Sequence, residues 1–258
     1  MDILDFSMDY FSLKGKNAIV TGGNTGLGRA FSLALAKAGA NVFIASLVED
    51  DHQTEAMIAD VGVSSKFMQA DITQNGVPAE IVEDCLSAFG SVDILVNSAG
   101  ICINRPVKEF NRQDWDKMLN VNLTAAFEMS YEVAETMMDR NSGKIINICS
   151  LFSFLGGQWS PAYAASKHGL AGFTKAYSDE LAGYNIQVNG IAPGYYATEL
   201  TTKTRSDPVS NQRVLDHIPA NRWGNTLDLM GATVFLASKA SDYINGHILV
   251  VDGGYLVR

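Results

Sequence analysis

The sequence predicts an α/β domain built on a seven-stranded parallel sheet, and three observations carry that prediction. From Lys16 onward, short apolar runs alternate with longer stretches of helical periodicity, the pattern left by successive βαβ units. The chain has 258 residues, 47% of them hydrophobic and 18% charged, enough to bury one full core, so a single domain over 1–258 is expected. No Pro/Ser-rich linker, fixed-period repeat or low-complexity tract divides it.

Strands are expected near 17–21, 41–46, 65–69, 93–97, 144–149, 186–191 and 247–251, with helices between them. The first strand, NAIVT, runs into TGGNTGLG (Thr21 to Gly28) and then into the helical stretch RAFSLALAKAG. Gly22, Gly26 and Gly28 are spaced G-x3-G-x-G. A backbone free of side chains lets a pyrophosphate approach the positive end of the following helix. Placed between a strand and a helix, the motif favours phosphate binding over a plain glycine-rich turn.

The second strand ends at Ser46, where the adenosine ribose lies in such folds. Ser46 and Leu47 supply neither the acidic residue that marks NAD nor the arginine that marks NADP, and Asn24 and Thr25 offer no cation. Glu49, Asp50 and Asp51 follow closely and would repel a 2′-phosphate. NAD is therefore expected in preference to NADP. After the third strand, Asp71 can accept from an adenine amino group, with Ile72 on the ring, or cap the following turn; local sequence leaves both open. The fourth strand ends in NSAG, Asn97 to Gly100, where small residues let the chain pass close beneath a dinucleotide.

The stretch from Asn111 to Met138 reads as one long helix with Asn122 inside it. Asparagine is a poor helix former, and a surface position is its simplest reading. The fifth strand, KIINICS, ends at Ser150, at the edge where open α/β sheets bind ligands. A helix is expected from Pro161, and Tyr163 and Lys167, four apart, then project from one face. A fixed ammonium beside a phenol favours the phenolate and brings it down from about 10. Such a tyrosine can trade a proton with a carbonyl or alcohol oxygen. The stretch from Thr198 to Gly224 is polar, helix-like and long for a connection, and is expected to form a lid over the site.

Composition narrows the partners. A net charge of -9 without a basic patch argues against nucleic acid and anionic membrane surfaces. The opening MDILDFSMDYFSLKGK lacks the basic region and apolar core of a secretory signal, and no apolar run is long enough to span a bilayer. Cys85, Cys102 and Cys149 are odd in number and widely spaced, and His52, His168, His217 and His247 show no metal-ligand spacing. A cytoplasmic protein without a metal is expected.

Taken together, TGGNTGLG, Asp71, NSAG, Asn122, Ser150, YAASK and PGYYAT, in this order and spacing, closely resemble the short-chain dehydrogenase/reductase family from about Phe11 to the C-terminus. Ser98 in place of the second Asn of the usual NNAG is a small departure. The resemblance implies a doubly wound, Rossmann-type domain, a catalytic tetrad of Asn122, Ser150, Tyr163 and Lys167, and a nicotinamide cofactor. Cofactor contacts are then expected at Gly22, Asn24, Thr25, Gly26, Leu27, Gly28, Ser46, Asp71, Ile72, Asn97, Ala99, Gly100, Pro193, Gly194 and Thr198, together with Tyr163 and Lys167.

The implied reaction is hydride transfer between nicotinamide and a ketone or alcohol carbon. Tyr163 would protonate the oxygen and Ser150 would hydrogen-bond to it. Lys167 would acidify Tyr163 and hold the nicotinamide ribose, and Asn122 would position a water leading to Lys167. His168, about 140° round the helix from Tyr163, is left out as a packing or surface residue. The resemblance also implies a homotetramer built on helices 111–139 and 161–182 and the C-terminal segment.

The stretch from His217 to Gly254 is most similar to the bacterial 2-deoxy-D-gluconate 3-dehydrogenase and 2-dehydro-3-deoxy-D-gluconate 5-dehydrogenase group, which implies a keto or hydroxy sugar acid as substrate. Such an anion needs a local cation. Arg105, Arg205, Arg213 and Arg222 are candidates, each set against the simpler reading of a solvated surface arginine. Gln158 and Trp159, on the loop before Tyr163, add no basic group, and Tyr195 and Tyr196 could wall a polar pocket or merely pack. A 3-oxoacyl-carrier-protein reductase or a polyol/gluconate dehydrogenase would use the same tetrad, although an acidic carrier suits an acidic protein poorly. A nucleotide-binding module without turnover would predict a damaged tetrad; here all four positions are filled.

Overall fold

A computed structural model describes residues 3–258; Met1 and Asp2, at the start of the acidic opening stretch, lie outside the described residues. Seven strands, β1 (Asn17–Thr21), β2 (Asn41–Ser46), β3 (Ser65–Gln69), β4 (Ile94–Asn97), β5 (Gly143–Ile148), β6 (Ile186–Pro193) and β7 (Ile248–Val251), form one all-parallel sheet. Their order is β3-β2-β1-β4-β5-β6-β7. The helices are α1 (Gly26–Lys37), α2 (Gln53–Ala59), α3 (Val77–Phe89), α4 (Arg112–Leu119), α5 (Ala125–Asp139), α6 (Pro161–Leu181), α7 (Thr202–Ser206), α8 (Pro208–His217) and α9 (Leu227–Ala237).

The inner strands are largely apolar because both faces of the sheet are covered, whereas the edge strand β3 carries Ser65, Lys66 and Gln69. Successive residues point to opposite faces, which divides the core in two. On β1, Ala18 and Val20 join Phe31 and Leu35 of α1 and Leu236 of α9. Ile19 between them joins Ile81 of α3 and Met129 and Val133 of α5 on the other side. Phe31, Ile19 and Met129 are fully buried, and each such side chain contributes roughly 1.5–3 kcal/mol by leaving water.

The order reverses between β1 and β4, so the chain departs in opposite directions on either side of this pair. A crevice opens beyond the carboxyl ends of strands at such a reversal. The glycine loop after β1, the NSAG turn after β4, Ser150 after β5 and Pro193–Gly194 at the end of β6 all fall there.

One expected element is divided. The stretch read as a single helix from Asn111 is α4, then a π-helical turn over Asn120–Thr124, then α5. The wider turn rotates Asn122 inward, and that residue is 1% exposed. The surface position expected for it is therefore wrong: the extra residue in the turn shifts the helix face.

Candidate active site

The cleft at the strand ends measures about 810 Å³. At one end lie Gly22, Thr25, Gly26, Leu27 and Gly28 with Ser46, Asp71 and Ile72; at the other lie Ser150, Tyr163, Lys167, Pro193, Gly194 and Thr198, with Ala99 and Gly100 between. Gly22 and Gly26 take φ +64° and +48°, backbone conformations that favour glycine. A Cβ on Gly28 would stand 2.0 Å from the Gly22 carbonyl oxygen, so α1 begins hard against the loop that precedes it. Thr25, the N-cap of α1, gives no side-chain cap bond, which leaves the helix N-terminus to an anion from the cleft. A side-chain-free cradle at an uncapped helix start fits the pyrophosphate of a dinucleotide.

Two expected cofactor contacts lie behind this wall. Asn24 is fully buried and its amide donates to the Val48 carbonyl at 2.6 Å, tying the glycine loop to the loop after β2. Asn97 donates to Asn147 Oδ1 at 2.9 Å and Ser130 Oγ at 3.0 Å, and Asn147 passes the chain on to Thr174 at 2.9 Å. Both asparagines serve as internal braces: Asn97 because the last residue of β4 turns its side chain into the core, Asn24 because it folds back from the loop after β1. Asp71 faces the cleft with Oδ1 accepting from the Thr73 backbone at 3.0 Å and hydroxyl at 2.7 Å. These bonds hold its carboxyl below the usual range, so the turn-capping role is present in the structure.

At the other end, Tyr163 and Lys167 share the cleft face of α6, with the Lys167 Nζ 5.7 Å from the Tyr163 ring centroid. Ser150 lines the cleft with Tyr163 and pulls against the rise in the phenol's pKa, and Phe152 packs edge-on against the ring at 5.7 Å. Lys167 donates to the Ile148 carbonyl at 2.7 Å. The Lys167 carbonyl accepts from Ser153 at 2.8 Å. Asn122 accepts from Ile101 N–H at 2.8 Å and donates to Ile101 O at 2.9 Å and Ser166 Oγ at 3.1 Å. It clamps the turn after β4 onto α6, one helical residue from Lys167.

The acidic phenol expected from the Tyr163–Lys167 spacing is not found. Burial pushes Tyr163 up to about 12, against the opposing pull of Ser150. Burial also pulls Lys167 down to about 8. The reason is that the same closed surroundings penalise both charged forms, and desolvation outweighs an attraction acting across the ring.

The candidate arginines separate by their partners. Arg105 is 2.6 Å from Asp114. Arg205 donates to the Thr198 carbonyl at 2.9 Å, bracing α7. Arg222 makes a two-pronged pair with Asp228 at 2.7 and 3.0 Å. Arg213, on α8, has no ion pair among the described residues, and its charge reaches Tyr195. Tyr195 meets Trp223 and Tyr255 edge-on or tilted, at 5.8 and 5.3 Å. Tyr196 donates to the Val251 carbonyl at 2.9 Å and packs under Gly224. Gln158, Trp159 and His168 are exposed.

Sequence reasoning missed three cleft residues. Cys102 lies between the two ends, its thiol 3.6 Å from Ser160 Oγ. Cys149 lines the wall beside Lys167. Lys117 of α4 brings a cation near Asp71. Their only sequence signals are position: Cys102 stands two residues after the end of NSAG, Cys149 precedes Ser150, and Lys117 stands one helical turn before Val121. Among the described residues no cluster of three or more His, Cys, Asp or Glu side chains could hold a metal ion, and no helix is long and apolar enough to cross a membrane.

Comparison with known proteins follows this geometry. Residues 16–209 match the family described as short chain dehydrogenase. The chain is 70% identical over 253 residues to an uncharacterized oxidoreductase, YgcW, of Escherichia coli (strain K12), covering 98% of this chain and 97% of that protein. It is 45% identical over 250 residues to the 2-dehydro-3-deoxy-D-gluconate 5-dehydrogenase of the same strain, covering 96% and 98%. A solved gluconate 5-dehydrogenase from Burkholderia cenocepacia J2315, in complex with NADP and tartrate, is 36% identical with a TM-score of 0.91, covering 97% of this chain and 98% of that one.

Proposed function

Since the chain belongs to the short-chain dehydrogenase family, and is an oxidoreductase with a nicotinamide cofactor, we propose that it interconverts a ketone and a secondary alcohol on a sugar acid such as 2-dehydro-3-deoxy-D-gluconate or 2-deoxy-D-gluconate. The observation that carries the reading is a single cleft with the glycine cradle at one end and Ser150, Tyr163 and Lys167 together at the other. The relatives named for deoxygluconate and gluconate dehydrogenation support the substrate class.

The cofactor supplies or accepts the hydride. The chain's own residues do the rest. Gly22, Gly26 and Gly28 with the start of α1 hold the pyrophosphate, and Lys167 holds ribose hydroxyls from its seat on the Ile148 carbonyl. Tyr163, a neutral phenol at neutral pH, gives its proton to the ketone oxygen during reduction, and Ser150 donates a hydrogen bond to the same oxygen. Asn122 acts as a positioning residue through Ile101 and Ser166. The two short helices α7 and α8 act as a lid, and Arg213, the candidate with neither an ion pair nor a side-chain hydrogen bond among the described residues, meets the substrate carboxylate from it.

NAD is proposed as the preferred cofactor, because Ser46, Leu47 and Val48 line the adenosine end without a cation; the NADP held by the Burkholderia relative is the counterweight. A cytoplasmic location and a homotetramer complete the proposal. Phe127 and Tyr131 of α5 are exposed and cluster with Phe173 and Tyr177 of α6 at ring distances of 4.4 to 6.4 Å, an aromatic face suited to a second copy.

The test is a reductase screen of keto-hexonates, polyols and acyl thioesters with NADH and NADPH. Turnover confined to keto-hexonates, and lost by about a thousandfold in Tyr163→Phe with nucleotide binding intact, is expected. Turnover of acyl thioesters alone, or an unimpaired Tyr163→Phe, would overturn the reading.

A further inference from the structure

Beneath the adenosine end of the cleft lies a polar knot that the catalytic account does not use. Arg29, in the first turn of α1, points its Nε at the Asn24 carbonyl (2.9 Å) and at Thr54 Oγ1 (3.0 Å), and its Nη2 stands 3.2 Å from Asp50 Oδ2. The same carboxylate accepts from the Thr54 backbone at 3.0 Å and from its hydroxyl. Thr54 and Asn24 are fully buried, and the Asp50 side chain is 9% exposed against 29% for Arg29.

The knot sits one residue behind the cleft wall on both sides. Thr25, which follows Asn24, lines the cleft, and so does Val48, whose carbonyl accepts from the Asn24 amide. Asp50 is thus spent on Arg29 and Thr54, and it does not act as the free repelling charge that the run Glu49, Asp50 and Asp51 suggested. The run conceals a guanidinium, the group that recognises phosphate in a planar, two-pronged way.

We propose that the Arg29–Asp50 pair selects the cofactor: Asp50 withholds the Arg29 guanidinium from the adenosine 2′ position, and a chain without that carboxylate turns Arg29 toward a 2′-phosphate. This rests on the nicotinamide-cofactor reading above. Arg29 carries its guanidinium on a flexible side chain whose backbone is fixed in α1, so its release requires a change of rotamer and no movement of the helix. Ser46, Leu47 and Thr25 bring no charge to the wall on this side, and Lys117 stands near Asp71, its counter-charge, so the guanidinium changes the charge met by that position.

The test is equilibrium binding of NADH and NADPH to the protein without substrate, followed by nucleotide fluorescence, with thermal melting as a control on folding. The wild-type protein is expected to bind NADH the more tightly. Asp50→Asn, which keeps an acceptor for Thr54, is expected to tighten NADPH by about tenfold or more and leave NADH within about threefold, a charge-assisted contact being worth that much. Asp50→Ser gives a second break should the first melt early. Adding Arg29→Ala to either is expected to cancel the gain. A wild-type protein that binds NADPH the more tightly, an unchanged NADPH/NADH ratio in the folded Asp50 variants, or a gain that survives loss of Arg29 would each overturn the lock. A wild-type protein that binds neither nucleotide would overturn the cofactor reading, and the lock with it.

Discussion

Tyr163 and Lys167 are held in one wall of the cleft by contacts with nothing to spare. The ammonium has a carbonyl to lean on at 2.7 Å and little water. Its folded proton affinity, about 8, falls below the unfolded value of 10.5. Between those values the unfolded chain binds the extra proton, so stability from this group rises with pH through that window and is lowest below about 8. The expected gain is on the order of 3 kcal/mol. Urea unfolding at pH 7.5 and pH 10 should show the wild-type protein gaining on Lys167→Met by most of that amount; parallel pH dependence would refute it. At Ser150 the expectation is kinetic. Ser150→Ala removes the hydroxyl that stands with the phenol in the cleft wall and should lower kcat by about a hundredfold, with cofactor affinity unchanged.

Among the elements, the glycine loop and α1 behave as one unit. Gly28 lies so close to Gly22 that a methyl group would meet its carbonyl at 2.0 Å. Gly28→Ala is therefore expected to destabilise the fold by about 1–3 kcal/mol and to abolish nucleotide binding, measured by melting and fluorescence titration; a stable, binding-competent variant would refute the packing argument. The segment with α7 and α8 is built differently. Asp207 caps α8 through Ser210 N–H at 2.9 Å, and Arg205 returns to the Thr198 carbonyl. Its helices bury no described side chain fully, which marks an element that can move without disturbing the core. If Arg213 meets the substrate carboxylate from α8, Arg213→Ala should raise KM for a sugar acid by about tenfold or more while KM for a neutral polyol stays unchanged.

For the whole molecule, the exposed aromatic face of α5 and α6 sets the expectation. A monomer leaves Phe127 43% and Tyr131 62% exposed beside two further rings, an apolar patch that soluble chains usually cover. Light scattering on gel-filtered protein should give a tetramer, and the double change Phe127→Glu, Tyr131→Glu a smaller species. A wild-type monomer would remove the face from the assembly.

The parallel sheet was legible in the chain because strands buried on both faces read as unbroken apolar runs, and because a glycine loop after the first of them marks the cofactor crevice wherever the sheet reverses. Ser150, Tyr163 and Lys167 were legible for the same reason, being tied to a strand end and to one helical turn. What lay beyond the sequence was whatever depends on neighbours far along the chain. The π turn that buries Asn122 follows from packing against Ile101 and Ser166. The raised pKa of Tyr163 follows from its burial in the cleft wall, not from the lysine four residues on. The pairing of Arg29 with Asp50, Arg105 with Asp114 and Arg222 with Asp228 decided which cations are spent. Local spacing determines which side chains can share a face; only the folded surroundings determine how much water and which countercharge each one keeps.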